Sequence, residues 1–152
     1  MRIEPITVEI AEKYREQIAQ LYFDNVRFSA YYSHYTYEEA YEKIGGLIDY
    51  LRDDTAIVYG AFESEELIGF IWAYVHQFRE EDRMYVSEIR VKEEYRKCGI
   101  GRELLGIVED KAKELGLGAI YLHAEANNPE ALRFYQTHGY EYERIQMRKE
   151  IS

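Results

Sequence analysis

Residues 55–63 and 66–78 are two long runs of β-forming side chains, and only Ser64-Glu65 separates them. A connection that short makes the second run fold back and pair antiparallel with the first. The hairpin commits the chain to a sheet, whose apolar faces the remaining elements must cover. The chain has 152 residues, 47% of them hydrophobic, with two prolines and ten glycines. That suffices for one domain with a sizeable core, and no linker, repeat or low-complexity tract interrupts it. A single domain over residues 1–152 is expected.

The other elements follow from periodicity and punctuation. Residues 2–6 read as a short strand, with Thr7 placed to cap a helix. From residue 8 to about 25, Ile10, Tyr14, Ile18, Leu21 and Tyr22 recur at helical spacing. Residues 28–36 lose that period and read as a loop. Thr36 and Glu39 form a capping box, so a second helix is expected to run to about residue 52. Residues 85–91 alternate as a strand. Residues 99–115 carry one apolar stripe, Ile100, Leu104, Leu105, Val108, Ala112 and Leu115, which predicts an amphipathic helix. Gly116 and Gly118 stop it. Residues 119–126 read as a strand. Asn128-Pro129 opens a last helix, Gly139 closes it, and 140–150 read as a final strand. The order β-α-α-β-β-β-α-β-α-β predicts an α/β (α+β layered) fold, with helices on both faces of a mixed sheet.

Charge and composition narrow the partners. Acidic residues outnumber basic ones, 29 to 19, for a formal net charge of -10. Phosphate backbones need a basic surface, so nucleic acid is disfavoured, whereas cationic amines would be drawn in. The amino-terminal segment lacks an apolar signal core, and no apolar run is long enough to span a bilayer. A cytoplasmic protein without membrane contact is expected. The one cysteine, Cys98, excludes an internal disulfide framework. The four histidines lack metal-ligand spacing, so no metal is expected.

Two segments carry chemistry. In the first, a strand ends at Val91 and a helix opens inside Arg96-x-x-Gly99-x-Gly101. Glycines there let unpaired backbone N–H groups approach a ligand, and the helix dipole favours an anion. Arg96 and Lys97 add positive charge. The segment suits a phosphate or pyrophosphate; close packing of helix on strand is the other reading of the glycines. It lacks the Gly-Lys-Ser/Thr of a P-loop and the three glycines of a dinucleotide fingerprint. The second is Asn128-x-x-Ala131-x-x-Phe134-Tyr135-x-x-x-Gly139-Tyr140. Asn128, Ala131 and Tyr135 fall near one helix face, although, taken alone, this segment is better read as a cap at Asn128 and core packing at Tyr135.

Together the two segments resemble the GNAT superfamily of N-acetyltransferases. Residues 96–101 match its acetyl-CoA signature, Arg/Gln-x-x-Gly-x-Gly/Ala. Residues 128–140 match its second motif, with Tyr140 in place of the usual Phe. The resemblance covers residues 55–140 and agrees with the element order. It implies a mixed, mostly antiparallel sheet of six to seven strands, splayed centrally. It also implies transfer of an acetyl group from acetyl-CoA to a primary amine by direct attack.

Residue by residue, the resemblance implies that the backbone of Ile89, Arg90 and Val91 pairs with the pantetheine arm. Ile89 N–H would also face the thioester carbonyl. The backbone of Arg96, Lys97, Cys98, Gly99, Ile100, Gly101 and Arg102 would wrap the pyrophosphate. Asn128 would bond the cofactor near the pantetheine. Tyr135 would protonate the departing thiolate. Glu88 is the best-placed candidate for the base that deprotonates the amine, although its side chain points opposite to that of Ile89, toward a helix or solvent. In the family the region between the first two helices roofs the acceptor pocket, which makes Tyr31, Tyr32 and Tyr35 candidates to stack on a sugar or cradle a cation. Packing on the sheet or on a partner subunit is their alternative role. Many relatives dimerise, which implies a possible homodimer. The acceptor is expected to be a small-molecule amine, the alternative being a protein N-terminus or lysine. A non-catalytic acyl-CoA sensor is the competing class.

Overall fold

Strand β2 (Ile57–Glu63) turns through Ser64-Glu65 into β3 (Glu66–Phe78) and pairs with it antiparallel, as the short connection requires. The computed structural model describes residues 1–26 and 33–152. They form two compact units, Met1–Leu122 and His123–Ser152.

The first unit is built on five strands in the order β1-β2-β3-β4-β5. Strands β1 (Arg2–Pro5) and β4 (Glu81–Val91) pair antiparallel with β2 and β3, and β5 (Ile120–Leu122) pairs parallel with β4. Helices α1 (Val8–Lys13), α2 (Arg15–Val26) and α3 (Tyr37–Arg52) separate β1 from β2, and α4 (Ile100–Glu114) separates β4 from β5. A 3₁₀ turn, Glu93–Tyr95, leads into α4. The second unit holds α5 (Pro129–Thr137).

Local signals set several boundaries. Thr7 caps α1 by accepting from Ile10 N–H at 3.3 Å, and Thr36 caps α3 by accepting from Glu39 N–H at 3.2 Å. Gly139, at φ +90°, follows α5 in the left-handed conformation that ends helices.

Both faces of the sheet are covered. Val58, Phe62, Leu67, Phe70 and Trp72 form one core with Ala11, Ile18, Leu21, Tyr22, Ala40, Ile44 and Leu47 of α1 to α3. Strand alternation turns Ile71, Ala73, Met84 and Val86 the other way, onto the side where α4 buries Ile100, Leu104, Leu105 and Val108. Two bulges interrupt the ladders: Ile68 has no register partner on β2, and Ser87 has none on β3. A bulge reverses the alternation, which is why Leu67 and Phe70, three apart, share one face.

Several boundaries differ from the pattern reading. The first helix is two: Tyr14 ends α1 at φ -102°, ψ 13°, with its ring edge-on to Phe62 and its hydroxyl donating to Glu65 at 3.1 Å. Nothing within the segment marks the break; it comes from packing. Strand β4 begins at Glu81 rather than 85, because Arg79 takes a positive φ of 59° and closes a second hairpin. Strand β5 ends at Leu122 rather than 126. Six to seven strands were expected and five are present among the described residues. The missing one is the final strand at 140–150, where residues 141–152 form neither helix nor strand. Tyr142, Ile145 and Met147 give that segment β propensity, but a strand also needs a ladder partner, and these side chains are exposed.

Phe70 is fully buried where β3 meets the α1–α3 layer. Phe70→Ala is expected to lower the unfolding free energy by about 3–5 kcal/mol. Urea denaturation checks this as a lower midpoint at unchanged slope.

Candidate active site

The parallel pairing of β4 with β5 covers only Met84–Val86 against Ile120–Leu122, while β4 stays paired with β3 up to Val91. The two neighbours therefore leave β4 at different points. Ser87 bulges where the β5 ladder ends. Beyond it, Lys92 N–H donates to Ile68 O at 2.8 Å. Antiparallel alternation then turns the backbone groups of Glu88 and Arg90 toward β3, and those of Ile89 and Val91 toward the open edge. The edge carbonyls receive side chains: Ile89 O accepts from Arg90 Nη1 and Val91 O from Arg96 Nε, each at 3.3 Å. The N–H groups of Ile89 and Val91 have no strand partner among the described residues.

After this edge a 3₁₀ turn and a short loop lead into α4. Gly99 is its N-cap, at φ +85° with no side-chain cap, and Lys97 before it has φ +63°. The first N–H groups of a helix have no intrahelical partner, and in a 15-residue helix they add dipolar attraction for an anion. Buried Ile100 anchors the helix start on the sheet. Gly69 permits the approach: a Cβ there would lie 3.1 Å from Arg90 O and 3.4 Å from Ile100 Cγ2. Arg96 ties the loop to α2 by donating from Nη2 to Asn25 Oδ1 at 2.8 Å. Cys98 is exposed, its Sγ 3.6 Å from Arg96 O. Open-edge amides followed by an uncapped helix start fit a ligand with an amide-bearing arm and a pyrophosphate.

Glu88 faces the α2–α3 side of the sheet, opposite Ile89. Only 10% of its side chain is exposed; Arg90 Nη2 lies 2.6 Å away and Lys43 Nζ 3.7 Å. Burial pushes its carboxyl above the usual carboxylate range, and the Arg90 and Lys43 charges oppose that without cancelling it. Lys43 Nζ also sits over the rings of Tyr22, at 5.0 Å, and Trp72, at 5.8 Å. Arg90 lies over Tyr22 at 5.7 Å. Trp72 Nε1 and Arg90 Nε are buried with no hydrogen-bond partner among the described residues.

An aromatic row continues from Glu88 along the same face. Tyr74 packs edge-on to Tyr85 at 5.3 Å, Tyr85 lies 4.9 Å from Tyr121, and His76 hydrogen-bonds the Tyr121 hydroxyl. Burial raises the Tyr85 phenol above its ordinary value. Of the roof tyrosines, Tyr31 and Tyr32 lie outside the described residues. Tyr35 packs on Tyr22 and Phe23, and its phenol is pushed up to about 12, first by burial and then by Tyr22.

The remaining site residues are in the second unit. Asn128 Oδ1 accepts from Ala131 N–H at 3.2 Å, so the carbonyl half of its amide serves as the α5 cap. Tyr135 packs against Phe134 at 5.3 Å and Tyr140 at 5.8 Å.

Within the first unit the structure brings together Glu88, Ile89, Arg90, Val91 and residues 96–102. Sequence reasoning missed Lys43 and the aromatic row. Lys43 did carry a signal: it falls between Ala40 and Leu47 on the apolar stripe of α3, where a lysine needs a partner. Among the described residues no three His, Cys, Asp or Glu side chains are grouped to hold a metal ion, and no helix is long and apolar enough to cross a membrane.

Comparison with known proteins agrees with this geometry. The model of the acetyltransferase (GNAT) family matches residues 15–140. The uncharacterized N-acetyltransferase YdgE of Bacillus subtilis is 24% identical over 152 residues, covering 98% of this chain and 97% of that one. The BH1408 protein of Bacillus halodurans superposes with a TM-score of 0.86 at 20% identity, over 100% of both chains. The PaiA N-acetyltransferase of Thermoplasma acidophilum, solved in complex with coenzyme A, gives a TM-score of 0.74 at 24% identity, over 96% of this chain and 94% of that one. An open strand edge leading into a glycine-started helix, in a chain matched from 15 to 140, is therefore that of an N-acetyltransferase: the chain belongs to the GNAT family of acetyltransferases, whose donor is acetyl-CoA.

Proposed function

We propose that this enzyme acetylates a primary amine of a small molecule by direct attack of the amine on the acetyl-CoA thioester. The observation that carries the reading is the open edge of β4 beyond Ser87, running into the uncapped start of α4. On this reading the backbone of Ile89 and Val91 pairs with the amides of the pantetheine arm, whereas Arg90, expected to join them, has its backbone turned to β3. Within residues 96–102 the backbone N–H groups at the start of α4 receive the pyrophosphate, the Arg96 N–H itself being committed to Glu93 O at 3.2 Å. Ile89 N–H, fixed by the ladder on its far side, stabilises the oxyanion that develops on the thioester carbonyl. Asn128, with its carbonyl committed to the α5 cap, reaches the cofactor through its amide nitrogen. Tyr135 donates its phenolic proton to the departing thiolate. The family match spans both units, which supports one catalytic domain over residues 1–152.

An alkylammonium, with a pKa of roughly 10, must lose a proton before it can attack. Glu88 accepts that proton. Burial raises its carboxyl toward the working pH, which improves it as a base, while Arg90 and Lys43 keep it from being neutral throughout. The row of Tyr74, Tyr85 and Tyr121 beyond Glu88 offers flat ring faces to the body of an acceptor. A small molecule with an apolar or sugar-like body suits it.

Release of free thiol from acetyl-CoA across a panel of primary amines tests the function. Turnover with small amines is expected. Coenzyme A binding without turnover on any amine would instead identify an acyl-CoA sensor, and turnover confined to peptides would move the acceptor to protein. Glu88 works ionised and its pKa is raised, so the acid limb of kcat/KM should fall at a higher pH than for an exposed carboxylate. Glu88→Gln should abolish that limb and lower kcat/KM about 10²–10⁴-fold; an unchanged pH profile removes Glu88 as the base. Tyr135→Phe should lower kcat while leaving the Kd for coenzyme A, measured by calorimetry, nearly unchanged.

A further inference from the structure

Among the described ion pairs of lysine side chains, Lys13, Lys92, Lys111 and Lys113 all meet carboxylates that are themselves well exposed. Lys43 is different: its partner, Glu88, is only 10% exposed, and its own side chain is 36% exposed. The ammonium sits on that carboxylate and over two ring faces, Tyr22 and Trp72. A carboxylate plus aromatic faces is the chemistry that recognises an ammonium ion. The helix imposes the placement, because Lys43 lies between Ala40 and Leu47 on the buried stripe of α3. The chain thus holds one of its own primary amines against the residue that, on the reading above, deprotonates the acceptor. That residue directly precedes Ile89, whose N–H lies on the open edge of β4.

We propose that Lys43 is an internal acceptor: with acetyl-CoA bound and no external amine present, the enzyme acetylates its own Lys43. This rests on the reading of Glu88 and Ile89 given under Proposed function. The Lys43 ammonium gives a proton to Glu88, which passes it to solvent. The Nζ lone pair then forms the new N–C bond to the acetyl carbon. As the C–S bond breaks, sulfur leaves with the bonding pair and takes up a proton from Tyr135 as the thiol of coenzyme A, while the nitrogen loses its second proton to solvent, from which Tyr135 is reprotonated. The product is a neutral ε-acetamide on α3, which leaves Arg90 as the cation paired with Glu88. External amines compete, because they need the same carboxylate.

The test is a time course of the full chain with acetyl-CoA and no amine, followed by intact-mass and peptide mass spectrometry. One acetyl group should appear on Lys43, with a rate constant independent of protein concentration. It should form at least about tenfold faster than on exposed Lys13 or Lys113, as expected for a nucleophile held in place rather than met by diffusion. A good external amine should slow it, and Lys43→Arg should lose the mark. Labelling of Lys43 no faster than of Lys13 and Lys113, in protein that turns over an external amine, overturns the proposal and leaves the proposed function standing. Labelling that is first order in a second protein molecule also overturns it. Absence of thiol release with every amine, together with an unlabelled Lys43, overturns both.

Discussion

Strand β4 has to satisfy two neighbours of opposite direction and unequal length, and the rest of the site depends on that mismatch. It pairs with β3 along its whole course but with β5 for three residues only. An inner strand normally spends its backbone groups on both sides, and groups left unpaired inside a protein are costly. Here the cost falls on a short stretch beside the start of α4. The bulge at Ser87 marks the change, and it leaves the amides of Ile89 and Val91 on the open side while Glu88 and Arg90 remain tied to β3. Gly69 does the complementary work on the neighbouring strand, where any side chain would crowd Arg90 O and Ile100. Two unspent donors on the open edge are thus followed, past a 3₁₀ turn, by an uncapped helix start, an order that suits a long ligand with amides at one end and phosphates at the other.

The opposite face of the same strand holds a different balance. Glu88 is a carboxylate between a sheet and a helical layer, where desolvation favours its neutral form. Arg90 and Lys43 supply opposing charge, and burial still prevails. Rings of Tyr22 and Trp72 exclude water around the cluster and give the two cations surfaces to lie on. Because three charges share the space, any change in one of the cations shifts the carboxyl. Acid–base behaviour at this site is therefore a property of the cluster, distributed between β4 and α3, and not of Glu88 alone.

Much of the architecture was legible because it is local. Thr7, Thr36 and Asn128 cap helices through hydrogen bonds to residues three positions on. The stripe from Ile100 to Ala112 and the tight turn at Ser64 were equally readable. The motif 96–101 placed the start of α4 correctly. What escaped reading was set by partners distant in sequence. Tyr14 breaks a helix because its ring meets Phe62 and its hydroxyl meets Glu65. Residues 140–150 carry β-forming side chains, yet these do not provide a ladder. The contacts of Tyr35 with Tyr22 and Phe23 likewise come from packing on α2.

The sequence by itself determined the class of fold and the donor chemistry. Periodicity, caps and glycines act within a few residues, and the signature motif of the family is one continuous segment. Only the tertiary structure decided where β4 loses its neighbour, that Glu88 is buried, and that Lys43 is what it meets. Those facts depend on register and on the packing of α3 against the sheet, at separations of tens of residues, where no local pattern specifies which side chain will arrive.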